Sequence, residues 1–297
     1  MTVFANVILP VILVAGVGFV VSKRFTVDID SVNKVSLYAF TPALAYSTVV
    51  TTRVSASESG RLAAAYLLAT VAAAVIAFLA AHTLAGGTRS VVVGCTIIGN
   101  NGNFGLPIAL LAFGQAGLDQ ALVIFITSLL VNFSVGPALL GAGGGLWPGI
   151  RRVLLLPVTW ALAAALVVRA SGVTTPTPVM NAVDILAAAA VPLVLLALGL
   201  QLGQSTAVHL TRPVLLSVAL RATVTPATAY AAGLVLGLSG LALHSLVLAC
   251  TMPTAVNAYL LAREFSDDPA TAASAVALST VVSVPLIMVL LTVLPTP

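Results

Sequence analysis

Three asparagine side chains stand close together inside an apolar segment of the chain. Asn100, Asn101 and Asn103 lie among three glycines, and Pro107 follows them, in a segment that is otherwise apolar from about residue 91 to 113. Asparagine amides donate hydrogen bonds to carboxylates and accept them from water or near cations. Proline and glycine at the same depth should break a helix, and the new helix end favours an anion. The pattern therefore predicts a polar site for an anion in apolar surroundings.

A second interruption of the same kind lies in the other half of the chain. Pro253, Thr254 and Asn257 interrupt an apolar segment that starts at about residue 243. In hydrocarbon, broken backbone persists only where protein or a wet cavity satisfies it. Paired broken helices in the two halves of a membrane protein indicate the substrate site of a transporter. We therefore predict that residues 99–107 and 252–257 meet near the middle of the bilayer and form one pocket.

Ten residues are candidates for that site. Three neighbouring asparagines cannot all face one way on a helix, so Asn100 and Asn103 are predicted to line the cavity and Asn101 to mend the broken backbone. Ser128 and Asn132 either face the first interruption or hold helices together. The predicted substrate-binding residues are Asn100, Asn101, Gly102, Asn103, Ser128, Asn132, Arg221, Pro253, Thr254 and Asn257.

Arg221 is the full charge that lies well inside an apolar segment. An arginine at mid-membrane costs about 2.5–3.5 kcal/mol on insertion scales. It either attracts an anionic substrate, or bonds the carbonyl groups of a broken helix, or extends toward one membrane face. The sequence leaves these three interpretations open.

The acidic residues bear on energy coupling. All eight fall in loops or near the ends of apolar segments: Asp28, Asp30, Glu58, Asp119, Asp184, Glu264, Asp267 and Asp268. Ion-driven carriers usually place a carboxylate within the membrane. The chain is therefore predicted to work without a strong ion ligand, with the membrane potential driving an anion outward. A sodium site made from carbonyls and Thr96, Ser128 or Thr251 stays open as the alternative.

The composition sets the elements that position these residues. The chain of 297 residues is 60% hydrophobic and 7% charged, whereas soluble domains carry about 25% charged residues. Because a span needs roughly 20 apolar residues, the sequence predicts an all-α membrane protein. The ten predicted spans are residues 2–21, 32–50, 61–82, 90–113, 118–140, 152–170, 180–203, 212–237, 243–262 and 270–294.

The two halves repeat each other's landmarks. Pro10 and Pro157, Pro42 and Pro192, Cys95 and Cys250, and Pro137 and Pro285 are separated by nearly constant offsets. Each half holds five spans, so the second half must be inserted upside down, as in several secondary transporters. The predicted units are residues 1–140, a cytoplasmic linker 141–151 that contains the run Gly143-Gly144-Gly145, and residues 152–297.

The basic residues predict the orientation. Eight lie in the connections after odd-numbered spans: Lys23, Arg24, Lys34, Arg89, Arg151, Arg152, Arg212 and Arg263. Arg53, Arg61 and Arg169 lie on the opposite side. The positive-inside rule places the eight in the cytoplasm and both termini outside. The net charge of +4 is dispersed and does not indicate nucleic-acid binding.

The interruptions carry sequences that resemble one family. The run from Asn100 to Pro107 reads NNGNFGLP, Met252 to Ala258 reads MPTAVNA, and Ala262 to Phe265 reads AREF, with Pro269 after it. They resemble the auxin efflux carrier family, which includes plant PIN-type exporters, and the likeness extends over the whole chain. The resemblance implies that broken helices 4 and 9 cross as an X, in the fold of bile-acid sodium symporters and sodium/proton antiporters. It also implies a scaffold, a mobile transport module and a homodimer.

The resemblance bears on the substrate as well. Family substrates are small organic anions such as indole-3-acetate, and malate has been attached to bacterial members. By similarity, Asn100 with its neighbours, Pro253 and Asn257 would face the substrate. Plant exporters have an apolar residue where this chain has Asn257, so the identity of the substrate does not carry over.

The leading hypothesis is a secondary transporter in the plasma or inner membrane that exports a small organic anion by an elevator-like motion. A sodium- or proton-coupled symporter of the same fold and a membrane receptor that does not transport are the alternatives. An intramembrane enzyme is disfavoured because no histidine or acid accompanies the interruptions. Cys95 and Cys250 fall within spans, so no disulfide, metal or cofactor site is predicted. The expected partners are the organic anion and the lipid bilayer.

Overall fold

A computed structural model describes residues 4–52, 54–140, 147–204 and 208–293. Throughout these ranges the regular structure is helical, apart from one isolated antiparallel bridge between Gly99 and Thr254. The prediction of an all-α protein is therefore confirmed. Arg53 and residues 141–146 of the predicted linker lie outside the described residues, as do the outermost residues of the first and last predicted spans.

The first half of the chain forms seven α-helices. They are α1 (Leu9–Arg24), α2 (Ile29–Val35), α3 (Thr41–Thr51), α4 (Ala56–Ala80), α5 (Gly86–Ile97), α6 (Leu106–Leu130) and α7 (Gly136–Leu140). Four wider π-helical segments each lead directly into one of these α-helices: Phe4–Ile8, Ser36–Phe40, Asn101–Gly105 and Val131–Val135.

Proline accounts for all four π-helical segments. Each segment ends two residues before a proline: Pro10, Pro42, Pro107 or Pro137. Proline has no N–H for the preceding turn, and its ring collides with the carbonyl four residues earlier. The turn before it therefore widens locally, while the helix continues.

The second half also forms seven α-helices. They are α8 (Trp147–Leu155), α9 (Pro157–Ser171), α10 (Thr177–Gly203), α11 (Arg212–Val235), α12 (Gly240–Thr251), α13 (Val256–Phe265) and α14 (Pro269–Val293). Residues 147–151, which the sequence assigned to the linker, are thus the start of α8. The chain bends by 63° between α8 and α9, at Pro157.

Six helical stretches of the described residues are long and apolar enough to cross a membrane, and the bent pair α8 and α9 makes a seventh. The six are Phe4–Arg24, Ala56–Ala80, Asn101–Leu140, Thr177–Gly203, Arg212–Val235 and Pro269–Val293. The third stretch is divided at Gly114, whose φ of 67° is not helical, so it contains the end of the predicted fourth span and all of the fifth. The ten-span count stays a prediction.

The helices pair across the two halves. Helix α1 packs along α10, α3 packs along α9, and α4 packs along α11. Helices α1 and α10 run parallel, as two close contacts show: Gly199 lies against Ala15, and Gly203 lies against Ser22. A Cβ atom on Gly199 would lie 1.8 Å from the Ala15 carbonyl oxygen, so the close contact of these two helices requires glycine.

Candidate functional site

The two predicted interruptions contact each other through their backbones. Helix α5 ends at Ile97, and α12 ends at Thr251. The Asn100 N–H donates to the Pro253 carbonyl at 2.8 Å, and the Ala255 N–H donates to the Ile98 carbonyl at 2.8 Å. Each break therefore satisfies backbone groups of the other, as apolar surroundings demand. We call this junction of residues 98–100 and 252–255 the crossover.

The first break is shorter than the sequence predicted. The non-helical residues number three, 98 to 100, because Asn101–Gly105 forms a π-helical segment and α6 follows from Leu106. Pro107 therefore does not end a helix. It occupies the first turn of α6, where its missing N–H has no intrahelical partner in any case.

Threonine hydroxyl groups bind carbonyls at the ends of the two broken helices. Thr254 Oγ1 donates to the Cys95 carbonyl at 2.8 Å, and Thr225 Oγ1 lies 2.6 Å from the Cys250 carbonyl. The carbonyls at a helix C-terminus have no intrahelical donors. The hydroxyl groups thus replace solvent at two buried helix ends.

Beside the crossover lies a cavity of about 240 Å³, which we call the crossover cavity. Six of the ten predicted substrate-binding residues line it, and they come from three separate segments: Asn100, Gly102, Asn103, Ser128, Asn132 and Asn257. Phe125, Leu106 and Val256 are among the apolar residues that complete the wall. The site thus combines several amides with an apolar surface, as small-ligand pockets commonly do.

The amides of Asn100, Asn103 and Asn257 make no hydrogen bond to any described residue, although Asn100 is only 8% exposed. They border the cavity beside the N-terminal ends of the π-helical segment and of α13. Asn132 is 5% exposed, and its amide oxygen has no partner among the described residues. Ser128 is different, since its hydroxyl donates to the Phe125 carbonyl at 2.7 Å. Four asparagine amides on this wall therefore have no partner among the described residues and are available to a ligand.

Four of the predicted residues do not line the cavity. Asn101 turns away and donates from Nδ2 to the Tyr66 hydroxyl at 2.9 Å, whereas the sequence predicted a bond to the broken backbone. Pro253 and Thr254 contribute to the crossover itself through the contacts described above. These three residues therefore have structural contacts at or next to the crossover and are absent from the cavity lining.

Arg221 is the fourth predicted residue that does not line the cavity. It lies on α11, is 4% exposed, and donates from Nε to the Met252 carbonyl at 2.7 Å and from Nη1 to the Thr96 carbonyl at 2.8 Å. Of the three interpretations that the sequence left open, the geometry is that of an arginine bonded to the carbonyls of broken helices. A Cβ on Gly99 would lie 2.0 Å from Arg221 Nη2, so the guanidinium group packs directly on the break.

Helix α2 supplies lining residues that the sequence did not indicate. Asp30, Asn33 and Lys34 border the crossover cavity, and Lys34 is exposed at its rim. The start of α2 is fixed by Asp28, whose carboxylate accepts from the Asp30 N–H and from Ser31 Oγ. The hydrogen bond from Ser31 lowers the pKa of Asp28, so a negative charge is kept at the helix N-terminus, where it is favourable.

A second cavity, of about 400 Å³, continues along the same seam between α3, α6 and α10. Thr41 and Leu106 line the crossover cavity, and Leu44 and Leu110 line the second one. These pairs are about one helical turn apart on α3 and α6. The two cavities are therefore neighbours along this seam.

The described residues contain no group of three or more His, Cys, Asp or Glu side chains that could hold a metal ion. Cys95 and Cys250 are buried free thiols. The crossover cavity thus offers amides, two helix ends and two charged side chains, Asp30 and Lys34, for binding.

The comparisons agree with a transport protein. Residues 149–291 match the family model described as "Membrane transport protein". The chain is 31% identical over 186 residues to an "Uncharacterized transporter" of Methanothermobacter thermautotrophicus, which covers 62% of this chain and 61% of the relative. It is 27% identical over 219 residues to a "Putative malonate transporter" of Rhizobium meliloti, over 70% of this chain and 67% of the relative. The matches agree with the resemblance to the auxin efflux carrier family, since residues 149–291 match a family of membrane transport proteins and both relatives are named as transporters.

Proposed function

We propose that this protein is a secondary transporter of small organic anions that binds its substrate in the crossover cavity. The observation that carries the proposal is the meeting of two helix N-terminal ends with the amides of Asn100, Asn103 and Asn257 on one cavity wall. Helix N-termini and amide N–H groups bind carboxylates without requiring a full charge. Lys34 at the rim adds a positive charge that attracts anions from solution.

The substrate class follows from the size and chemistry of the cavity. About 240 Å³ suits a small carboxylate, and the apolar wall around Phe125 accommodates a short carbon skeleton. One relative is named for malonate, a dicarboxylate. We infer that small mono- or dicarboxylates are the substrates. The asparagine amides would bind one carboxylate group, and Lys34 would lie near the path by which the substrate enters.

The proposed mechanism is alternating access between two inverted five-helix repeats, moving as an elevator. It is supported by the exchange of partners between halves, with α1 on α10 and α9 on α3. It is also supported by the two neighbouring cavities along one seam. A shift of one module by about one turn would connect the crossover cavity to the second cavity.

The proposed orientation places the end of the bundle with Lys23, Arg24 and Lys34 in the cytoplasm, on the positive-inside rule. The crossover cavity then opens to the cytoplasm, and a monovalent anion gains about 2.3 kcal/mol per 100 mV by leaving a negative interior. We infer export driven by the membrane potential. A sodium- or proton-coupled symporter and a receptor without transport are the rival functions.

Counterflow in proteoliposomes tests the function. Vesicles loaded with excess unlabelled carboxylate should transiently accumulate labelled malonate or indole-3-acetate, whereas protein-free vesicles should not. Net flux should follow an imposed potassium-valinomycin potential and persist when sodium is replaced by choline. Transport that requires sodium or a pH gradient would favour the coupled symporter. Saturable binding of a carboxylate with no counterflow across a broad panel would favour the receptor.

Replacing Lys34 should slow substrate capture without damaging the fold. We expect Lys34→Gln to raise the KM about threefold to tenfold at low ionic strength, more for a dicarboxylate than for a monocarboxylate, because a rim charge steers anions and is screened by salt. Measuring uptake over a range of ionic strength checks the salt dependence. Arg24→Gln, which removes an exposed charge outside the cavity lining, is the control. An equal effect of both variants would remove Lys34 from the site.

A further inference from the structure

The crossover brings four helix ends together, and Arg221 is bound to two of them. Its acceptors are Thr96 in the last turn of α5 and Met252 at the end of α12. Each helix C-terminus carries about half a negative charge. One guanidinium group therefore balances both negative ends. The two positive ends, at the π-helical segment and α13, border the crossover cavity.

The place that Arg221 occupies has a known use in carriers with broken helices. In such proteins the half-helix C-termini and unwound carbonyls coordinate the coupling cation, while the N-termini face the anionic substrate. Here both hydrogen-bond acceptors of the guanidinium in the described part of the chain are backbone carbonyls. The positive charge at this position thus comes from the protein itself.

The internal repeat shows which half of the chain supplies this positive charge. Tyr66 stands 155 residues before Arg221, the same offset that separates Cys95 from Cys250. Both residues are followed after four positions by a threonine that lies within hydrogen-bond distance of their carbonyl, Thr70 in one case and Thr225 in the other. The equivalent position of the first half therefore reaches the crossover with a neutral phenol, which accepts from Asn101. The second half alone brings a cation.

Gly99 leaves the space that the guanidinium group of Arg221 occupies. A Cβ there would lie 2.0 Å from Nη2 and 2.9 Å from Cζ of Arg221. The guanidinium group therefore covers the backbone of the break at a distance that no other residue type at position 99 allows. A cation bound to these carbonyls would need the same space.

We propose that Arg221 is a tethered cation that permanently fills the coupling-cation position of this carrier, and that removing it uncovers a binding site for a monovalent cation. Wild-type protein then binds substrate without sodium, and the Arg221→Ala variant acquires a site for sodium or guanidinium ion at the Thr96 and Met252 carbonyls. The consequence for energy coupling rests on the proposed transport function. The cation site itself does not, and its test uses the purified protein without substrate.

Thermal unfolding of the full-length protein in detergent tests the proposal. Melting temperatures are measured for wild type and Arg221→Ala at constant ionic strength in sodium, guanidinium and N-methylglucamine chlorides. For wild type we expect equal melting temperatures in sodium and N-methylglucamine chlorides, and in guanidinium chloride only the non-saturable decrease that a denaturant causes. For Arg221→Ala we expect a lower melting temperature that sodium or guanidinium raises saturably by about 3 °C or more, because a ligand that binds only the folded state stabilises it.

Arg169 supplies a matched control. It also donates to backbone carbonyls, those of Val49 and Thr52 at 3.0 and 2.8 Å, but it is exposed. Water can replace an exposed guanidinium, so Arg169→Ala should show no saturable effect of either cation. A cation effect of the same size in both variants would overturn the proposal, since it would reflect solvation and not a site.

Two further results keep the test decisive if Arg221→Ala does not fold. Arg221→Lys retains the charge and should fold and remain indifferent to sodium, whereas Arg221→Gln should be less stable. Equal stability of the lysine and glutamine variants would show that the charge is irrelevant and would overturn the proposal. Saturable stabilisation of wild type by sodium would also overturn it, because the position would then not be filled by Arg221. Failure of counterflow with these results intact would contradict only the transport function.

Discussion

The Gly99→Ala variant should lose transport and a large part of its stability. The added Cβ would lie 2.0 Å from Arg221 Nη2, so the guanidinium group must leave the break. It cannot leave without giving up its bonds to the Thr96 and Met252 carbonyls. Hydrogen bonds of charged groups contribute about 1.5–3 kcal/mol each, so we expect the loss of two to cost about 3–6 kcal/mol. Unfolding of the purified variant and counterflow in proteoliposomes measure both effects.

Gly94→Ala is the matched control for this change. Gly94 lies on α5, five residues before Gly99, and a Cβ there would meet Leu140 Cδ2 at an ordinary 3.8 Å. We expect stability equal to wild type or slightly higher, because alanine favours helix more than glycine does. Equal effects at positions 94 and 99 would show that the damage comes from helix geometry and not from Arg221.

A double-mutant cycle separates the clash from other causes. In the Arg221→Ala background, the guanidinium group that the added methyl group at position 99 would displace is already absent. Gly99→Ala should therefore cost much less there than in wild type, with a coupling free energy of at least about 1 kcal/mol. Additive costs would mean that position 99 acts independently of Arg221.

The sequence was sufficient to predict the broken helices and much of the site. Asparagines next to glycine and proline in an apolar segment indicated two breaks that satisfy each other, and the two breaks do meet through Asn100, Pro253 and Ala255. Six of the ten proposed site residues line one cavity. The local sequence was enough to identify these six residues because they lie on the two broken segments or on the span that follows the first broken segment.

The sequence could not settle matters that depend on packing between distant segments. Lys34 was counted as a loop charge because nothing local shows that α2 lies beside the crossover. Arg221 had three interpretations, since its carbonyl partners are 31 and 125 residues away in the chain. The length of the first break was overestimated, because a proline two residues after a helical turn can widen it into a π-helical segment without ending it.

The asparagines of the cavity should control substrate binding with little effect on folding. Neither Asn100 nor Asn257 uses its side chain in a hydrogen bond to a described residue, so alanine at either position removes no internal bond that the structure shows. A hydrogen bond to a carboxylate contributes about 1.5–3 kcal/mol, and about 1.4 kcal/mol corresponds to tenfold in affinity. We expect each single substitution to weaken transport about tenfold or more. Counterflow kinetics and melting temperatures measure the two effects.

Asn181→Ala provides the control, because Asn181 is an exposed asparagine of α10 outside the cavity lining. It should transport at the wild-type rate. If Asn100→Ala and Asn257→Ala also transported at that rate, the crossover cavity would not be the substrate site. A loss of transport accompanied by an equal loss of folded protein would likewise contradict the expectation of a binding role.

The double substitution tests how the substrate is held. Asn100 borders the first break and Asn257 lies on α13 after the second, so they reach the cavity from separate half-helices. If both amides bind the same carboxylate, either single substitution already releases that carboxylate. The free-energy costs of the two single variants should then sum to more than the cost of the double variant. If the amides bind opposite ends of a dicarboxylate, the costs should be additive, and a monocarboxylate should respond to one substitution alone. The cycle, measured with malonate and indole-3-acetate in parallel, therefore distinguishes the two binding modes without a bound structure.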